Sequence, residues 1–155
     1  MATPHEDIKP PTLEFVYRLE FQVGDPVIVP AGPKGSRYIF PILTGTFEGA
    51  DPDFRGTIAV PSADFAIGHS DGSGVTLKVN IIMKTHDGAT ILGIAEGRSK
   101  RDPNNPVNAE IQIAKTFETG DERYKWMNNE VFIGSGVKLD KKIKLNYYRK
   151  VIIQG

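Results

Sequence analysis

Two carboxylates stand where the local backbone would aim a side chain. Glu48 lies in Gly45-Thr46-Phe47-Glu48-Gly49, and Asp64 lies in Pro61-Ser62-Ala63-Asp64-Phe65. Glycine on both sides of Glu48 lets the chain bend there, as at a barrel rim or corner. If both acids face a cavity among Phe47, Phe65 and Trp126, desolvation raises their pKa values. A carboxyl group so tuned serves as acid or base near neutral pH. The plain alternative is a turn-capping Asp64 and a solvated Glu48. Around such a pair, Arg18 and Asn128 would orient or polarise ligand oxygens. Asn128 would equally serve as a turn cap. Tyr17, Phe40, Trp126 and Tyr147 would wall the pocket and hold a substrate folded, so that proximity supplies part of the rate.

Other chemistries are poorly provided for. The 155 residues contain no cysteine, which removes disulfides, thiolate catalysis and cysteine metal sites together. Three histidines, His5, His69 and His86, match no metal-binding spacing. No metal site and no cofactor are expected. Ser62 lacks the glycines of a nucleophile elbow. Gly32-Pro33-Lys34-Gly35-Ser36 lacks the ending and the following helix of a phosphate loop, and no Gly-x-Gly-x-x-Gly occurs. Nineteen Lys and Arg balance nineteen Asp and Glu, so nucleic acid is not an expected partner. A C-terminal basic run, Lys138, Lys141, Lys142, Lys144, Arg149 and Lys150, reads as solvated strand edges protected by lysine. No apolar run is long enough for a helix to cross a bilayer, and the polar N-terminus has no secretory pattern. The expected location is the cytoplasm, with no membrane partner. A homodimer is the default assembly.

The elements that must position these residues are strands. Leu13, Phe15, Tyr17, Leu19, Phe21 and Val23 alternate with Glu14, Val16, Arg18, Glu20 and Gln22. That period of two makes Thr12–Val23 one long strand. Val75–Lys84 and Ala89–Arg98 repeat it around the turn Thr85-His86-Asp87-Gly88. Further strands are Arg37–Phe47, Gly56–Val60, Ala109–Thr119, Glu130–Leu139 and Ile143–Ile152. Pro41 and Pro61 mark an edge, a bulge or a strand end. Only Asp121–Asn129 has room for a turn or two of helix. The first eleven residues, with Pro4, Pro10 and Pro11, read as a flexible arm, leaving 12–155 as one domain. The reading is therefore all-β: a single closed antiparallel barrel of about eight to ten strands with little helix, since long strands hide their edges best by closing on themselves. Which strand face lines the interior is left open by the pattern.

Several segments taken in order carry a resemblance. They are Pro11-Thr12-Leu13-Glu14, Pro41 to Gly49, Phe54-Arg55-Gly56-Thr57, Ala63-Asp64-Phe65, Thr85 to Ala89, Phe117-Glu118-Thr119-Gly120, Tyr124 to Asn128, and Phe132-Ile133-Gly134-Ser135-Gly136. Their order and spacing, from about Pro11 to Val151, resemble the family catalogued as domain of unknown function 3237, or UPF0311. The resemblance implies a small closed β-barrel that accompanies small-molecule and natural-product pathways, with cofactor-independent cyclase or isomerase activity. The chain departs from the family's pattern at Ile81, Lys78 and Asn80, and in the turn Ala50-Asp51-Pro52-Asp53.

Together these readings give an expected function. The barrel takes a hydrophobic, oxygenated small molecule and catalyses a cofactor-free cyclisation or isomerisation, with Asp64 and Glu48 moving protons. Two rivals stand beside it: a non-catalytic binding or carrier barrel, and an interaction module acting through the basic C-terminal hairpin.

Overall fold

The computed structural model describes residues 1–151. Nine strands follow one another among the described residues. They are β1 (Thr12–Val23), β2 (Val27–Gly32), β3 (Gly35–Gly49), β4 (Arg55–Gly68), β5 (Gly74–Thr85), β6 (Thr90–Arg101), β7 (Asn108–Glu118), β8 (Phe132–Leu139) and β9 (Lys142–Val151). Sheet order is β1-β9-β8-β7-β6-β5-β4-β3-β2, and β1 also pairs with β3. That last pairing closes eight strands into an antiparallel barrel and leaves β2 as an extra strand. Between β7 and β8, Lys125–Asn129 forms a short 3-10 helix, inside the segment where a helical turn is expected. The strand reading is met at most positions. Ile152, expected to end the last strand, lies outside the described residues, as do 153–155.

Three details differ from the sequence expectations. β2 carries Val27, Ile28 and Val29, all exposed; with neither face buried it shows no alternation to read. β1 does not keep one apolar face throughout. Its register against β9 shifts between Phe15 and Tyr17. The bulge sends Leu13 and Phe15 to the surface, where Phe15 meets Tyr148 edge-on at 5.9 Å between ring centres, while Tyr17, Leu19, Phe21 and Val23 turn inward. β4 does not stop at Val60. Its register against β5 shifts between Ala59 and Ala63, around Pro61, and the strand runs on to Gly68.

Ser62 repairs that interruption. Its hydroxyl donates to the Ala59 carbonyl (2.6 Å) and accepts from the Ile82 amide (2.8 Å). One side chain thus replaces ladder bonds that the bulge removes, which keeps nearly buried backbone groups paired.

The two barrel ends are unlike. At one end Phe54, Tyr124 and Met127 are buried under the 3-10 helix and pack on Tyr17, Phe47, Phe117 and Phe132. Edge-to-face contacts at 4.9–6.3 Å join most of these rings, the geometry their quadrupoles favour. Asp87 holds this cap in place: it accepts from the Tyr124 hydroxyl (3.0 Å) and pairs with Arg123. The other end, where the β4–β5, β6–β7 and β8–β9 turns gather, is open. The first eleven residues lie outside the barrel and are exposed. No helix among the described residues is long and apolar enough to cross a membrane.

Replacing Ser62 with Ala is expected to leave the Ala59 carbonyl and the Ile82 amide without partners. A cost of about 1–3 kcal/mol lowers the melting temperature by several degrees in a domain this size, measured by thermal unfolding; an unchanged melting temperature would show that the bulge is held by other contacts.

Candidate functional site

The open end leads into a cavity of about 150 Å³ inside the barrel. A cavity of that size holds a benzene-sized ring. Inward positions of successive strands build its walls: Leu19 and Phe21 from β1, Leu77, Val79 and Ile81 from β5, Ile111 and Ile113 from β7, Ile143 and Leu145 from β9. Arg101, Pro106, Val107, Asn108 and Lys138 surround the mouth. Four polar side chains line the lumen deeper down, namely Asp64, Ser99, Lys115 and Tyr147.

Asp64 points inward from β4, between Phe40 on β3 and Val79 on β5. It is 9% exposed. Its Oδ1 accepts from the Lys78 backbone amide at 2.9 Å, and no cation pairs with it among the described residues. Burial pushes its pKa up to about 6, against a smaller downward pull from the Lys78 amide. The carboxyl is thus held close to the pH at which proton transfer in both directions is useful.

Lys115 is the group that the sequence reading missed. It extends inward from β7 and is 1% exposed. Its Nζ lies over three ring faces, Tyr147 at 4.8 Å, Phe117 at 5.0 Å and Tyr17 at 5.3 Å, and 3.6 Å from Met83 Sδ. No carboxylate reaches it among the described residues. Desolvation lowers its pKa to about 7. Tyr17 and Tyr147 stack with their rings 4.8 Å apart, and burial raises both phenol pKa values, so they remain protonated around neutral pH. A glycine makes the space. A Cβ on Gly93 would sit 2.5 Å from Lys115 Cε and 2.9 Å from Ile81 Cγ2. The register Asp64–Val79–Ala95–Lys115 runs straight across four strands. At one strand spacing per step, the two ionisable residues are about 14 Å apart around the curve of the sheet, on different walls of one lumen.

The other expected site residues divide sharply. Tyr147 and Phe40 line the cavity, and Tyr17 is buried beneath it against Tyr147 and Lys115. Glu48 and Arg18 are not in the lumen, which corrects the expectation of a two-carboxylate pair. They face each other across the β1–β3 pairing on the outside of the barrel, 2.8 Å apart, with side chains 60% and 66% exposed. The alternation that turns Phe47 and Tyr17 inward turns their neighbours outward. Trp126 is 44% exposed at the closed end, against Phe132 and under the Arg149 guanidinium. Asn128 is occupied structurally. Its Oδ1 accepts from the Thr119 amide (3.0 Å) and its Nδ2 donates to the Thr119 carbonyl (2.8 Å), tying the 3-10 helix to the end of β7. Lys115 did leave a signal in the sequence. In Ile111-Gln112-Ile113-Ala114-Lys115-Thr116-Phe117 it occupies the apolar parity of its strand.

Comparison with known proteins places this architecture in a family. Residues 11–150 match the model for DUF3237, a protein of unknown function. The chain belongs to that family. A UPF0311 protein from Rhodopseudomonas palustris is 28% identical, over 90% of this chain and 97% of its own. A β-barrel-like protein from Acinetobacter baumannii superposes with a TM-score of 0.82 at 26% identity, covering 95% of this chain and all of that one. A hydroalkoxylation enzyme from Penicillium herquei is 26% identical, over 90% of this chain and 84% of its own.

The buried amine carries a stability cost with a defined pH dependence. Its folded pKa is depressed below the ordinary lysine value, so the unfolded chain binds the proton more tightly. Stability is therefore greatest above the unfolded pKa and falls as pH drops through the folded value near 7. Lys115→Met is expected to stabilise the protein by a few kcal/mol near pH 7, an advantage that shrinks as pH rises toward 10. Denaturant unfolding across that range checks it; a variant less stable than the parent at every pH would contradict a lone buried amine.

Proposed function

We propose that this member of the DUF3237 family is a cofactor-independent cyclase or isomerase that moves protons within an apolar lumen, with Asp64 and Lys115 as its two catalytic groups. The observation that carries this reading is that a buried carboxyl, Asp64, and a buried amine, Lys115, line one largely apolar cavity, each perturbed toward neutrality by burial. An apolar pocket with a few converging polar groups is how small-molecule sites are generally built. Groups perturbed in this way cluster at functional sites. The relative described as a hydroalkoxylation enzyme supports a particular reaction class, the addition of a substrate hydroxyl across a neighbouring carbon–carbon double bond to close a ring.

In that reaction no electrons enter or leave. Ionised Asp64 takes the proton of the attacking hydroxyl. The oxygen forms its bond to one alkene carbon, and the Lys115 ammonium returns a proton to the other end of the activated system, either the alkene carbon itself or a conjugated carbonyl oxygen. The aromatic faces of Tyr17, Phe117 and Tyr147 around the amine favour positive charge at that point. Aliphatic walls exclude water and hold a ring-sized portion of the substrate, while the rest extends toward Arg101 and Lys138 at the mouth. Glu48, Arg18, Trp126 and Asn128 take no part.

A carrier barrel would use the same aliphatic walls. The two readings separate on turnover. Phenols and alcohols bearing a nearby alkene or enone are incubated with the protein, and the products are resolved by chromatography. Ring-closed product at a rate above buffer supports the enzyme, and exclusive recovery of unchanged ligand overturns it. Activity is expected to rise with pH through about 6 as Asp64 ionises and to fall through about 7 as Lys115 loses its proton. Asp64→Asn and Lys115→Met are each expected to lower kcat on the order of 10²–10⁴-fold. A flat pH profile, or full activity in both variants, would eliminate the pair.

A further inference from the structure

We infer that Lys115 is placed to capture carbonyl compounds covalently, forming an imine with an aldehyde or ketone whose apolar body occupies the lumen. The inference shares the cavity with the acid–base reading above but requires neither ring closure nor turnover. Four features of the site carry it.

First, the Lys115 amine borders the cavity rather than the solvent outside. Secondly, no carboxylate pairs with it among the described residues. Its neighbours are three ring faces and the Met83 sulfur, and none of the ion pairs among the described residues involves it. Thirdly, the missing side chain at Gly93 keeps open the space that Cε and Nζ occupy, so the amine sits at a set place on the wall. Fourthly, the cavity opens at a mouth lined by Arg101, Pro106 and Lys138, which gives a carbonyl compound a way in. Burial of the amine supports the same conclusion by keeping a large uncharged fraction at neutral pH, the usual way an active-site lysine becomes nucleophilic.

The step balances without an oxidant or reductant. The nitrogen lone pair adds to the carbonyl carbon as the C–O π bond opens. A proton moves from nitrogen to the new alkoxide, giving a carbinolamine. The hydroxyl then takes up a proton from water admitted at the open mouth and leaves as water while the C=N bond forms, and the iminium nitrogen returns a proton to the medium to give the imine. Addition of water reverses every step. The cavity volume limits the buried portion of the ligand to about one ring, so an aryl aldehyde or a compact aliphatic ketone is the matching class.

Benzaldehyde with sodium cyanoborohydride at pH 7 tests this, because reduction converts any imine into a stable benzyl amine that peptide mass spectrometry locates. Ordinary lysines are almost wholly protonated at that pH, whereas the α-amine of Met1 competes. The expected result is benzylation of Lys115 at least about tenfold faster than of any other lysine side chain, with Met1 as the remaining labelled amine. Lys115→Arg is expected to lose the Lys115 adduct alone. Labelling confined to Met1 and surface lysines would overturn the inference. Benzyl alcohol, which has the same ring and no carbonyl, then separates the two readings. If it raises the melting temperature while Lys115 stays unlabelled, covalent capture fails and ligand binding in the lumen stands; if it has no effect and Lys115 stays unlabelled, both fail.

Discussion

The molecule depends on the cost of keeping Asp64 and Lys115 out of water. An isolated charge in an aliphatic interior is costly enough that the group shifts its pKa instead. Among the described residues no opposite charge is in contact with either one, so both shifts run toward neutrality. A packed core would select against such groups, because apolar replacements of similar volume are commonly more stable. Their presence in one lumen is a local sacrifice of stability, of the kind that strained or reactive sites make elsewhere in proteins. The rest of the fold is organised so that the lumen exists and stays apolar: one end sealed by interlocked rings, the other left open, and a bulged β4 whose hydroxyl at Ser62 restores its ladder.

Closure of the sheet is what makes that arrangement possible. In an open sheet the inward faces of β4 and β7 would lie side by side with two strands between them. In the barrel, pairing of β1 with β3 curls them around a common axis and sets Asp64 and Lys115 on different walls of one space. Alternation then sorts every other candidate. Tyr17 and Phe47 go in, and their neighbours Arg18 and Glu48 go out and pair with each other. That outer ion pair is well exposed and stabilises little.

Much of the architecture was legible in the residues, because period-two alternation survives wherever a strand has one buried face. It reveals β1 and β5 to within a residue, and β6 except for its last three positions. It failed at β2, which is exposed on both sides, and beyond Pro61, where a bulge shifts the phase. At the site, Asp64 stands out in the sequence among apolar neighbours just past the expected strand end at Val60, although the strand in fact continues through it. The glycines flanking Glu48 suggest a bend, but parity with inward Phe47 sends its side chain outward. Lys115 is the opposite case. A lysine reads as a surface residue by type, and only its parity with Ile111, Ile113 and Phe117 betrays an inward position. Of the ring faces that receive it, Phe117 is two residues away on β7, but Tyr17 and Tyr147 come from β1 and β9, distant in sequence, so the pocket around its amine is beyond reach of any local pattern.

The most direct measurement is a heteronuclear NMR titration that follows the Lys115 Nζ and Asp64 Cγ signals separately. Midpoints near 7 for the amine and near 6 for the carboxyl are the expected result. Midpoints at the ordinary values, about 10.4 and 3.9, would mean that water or a counter-charge reaches both groups, and the dry lumen on which the mechanism rests would not exist.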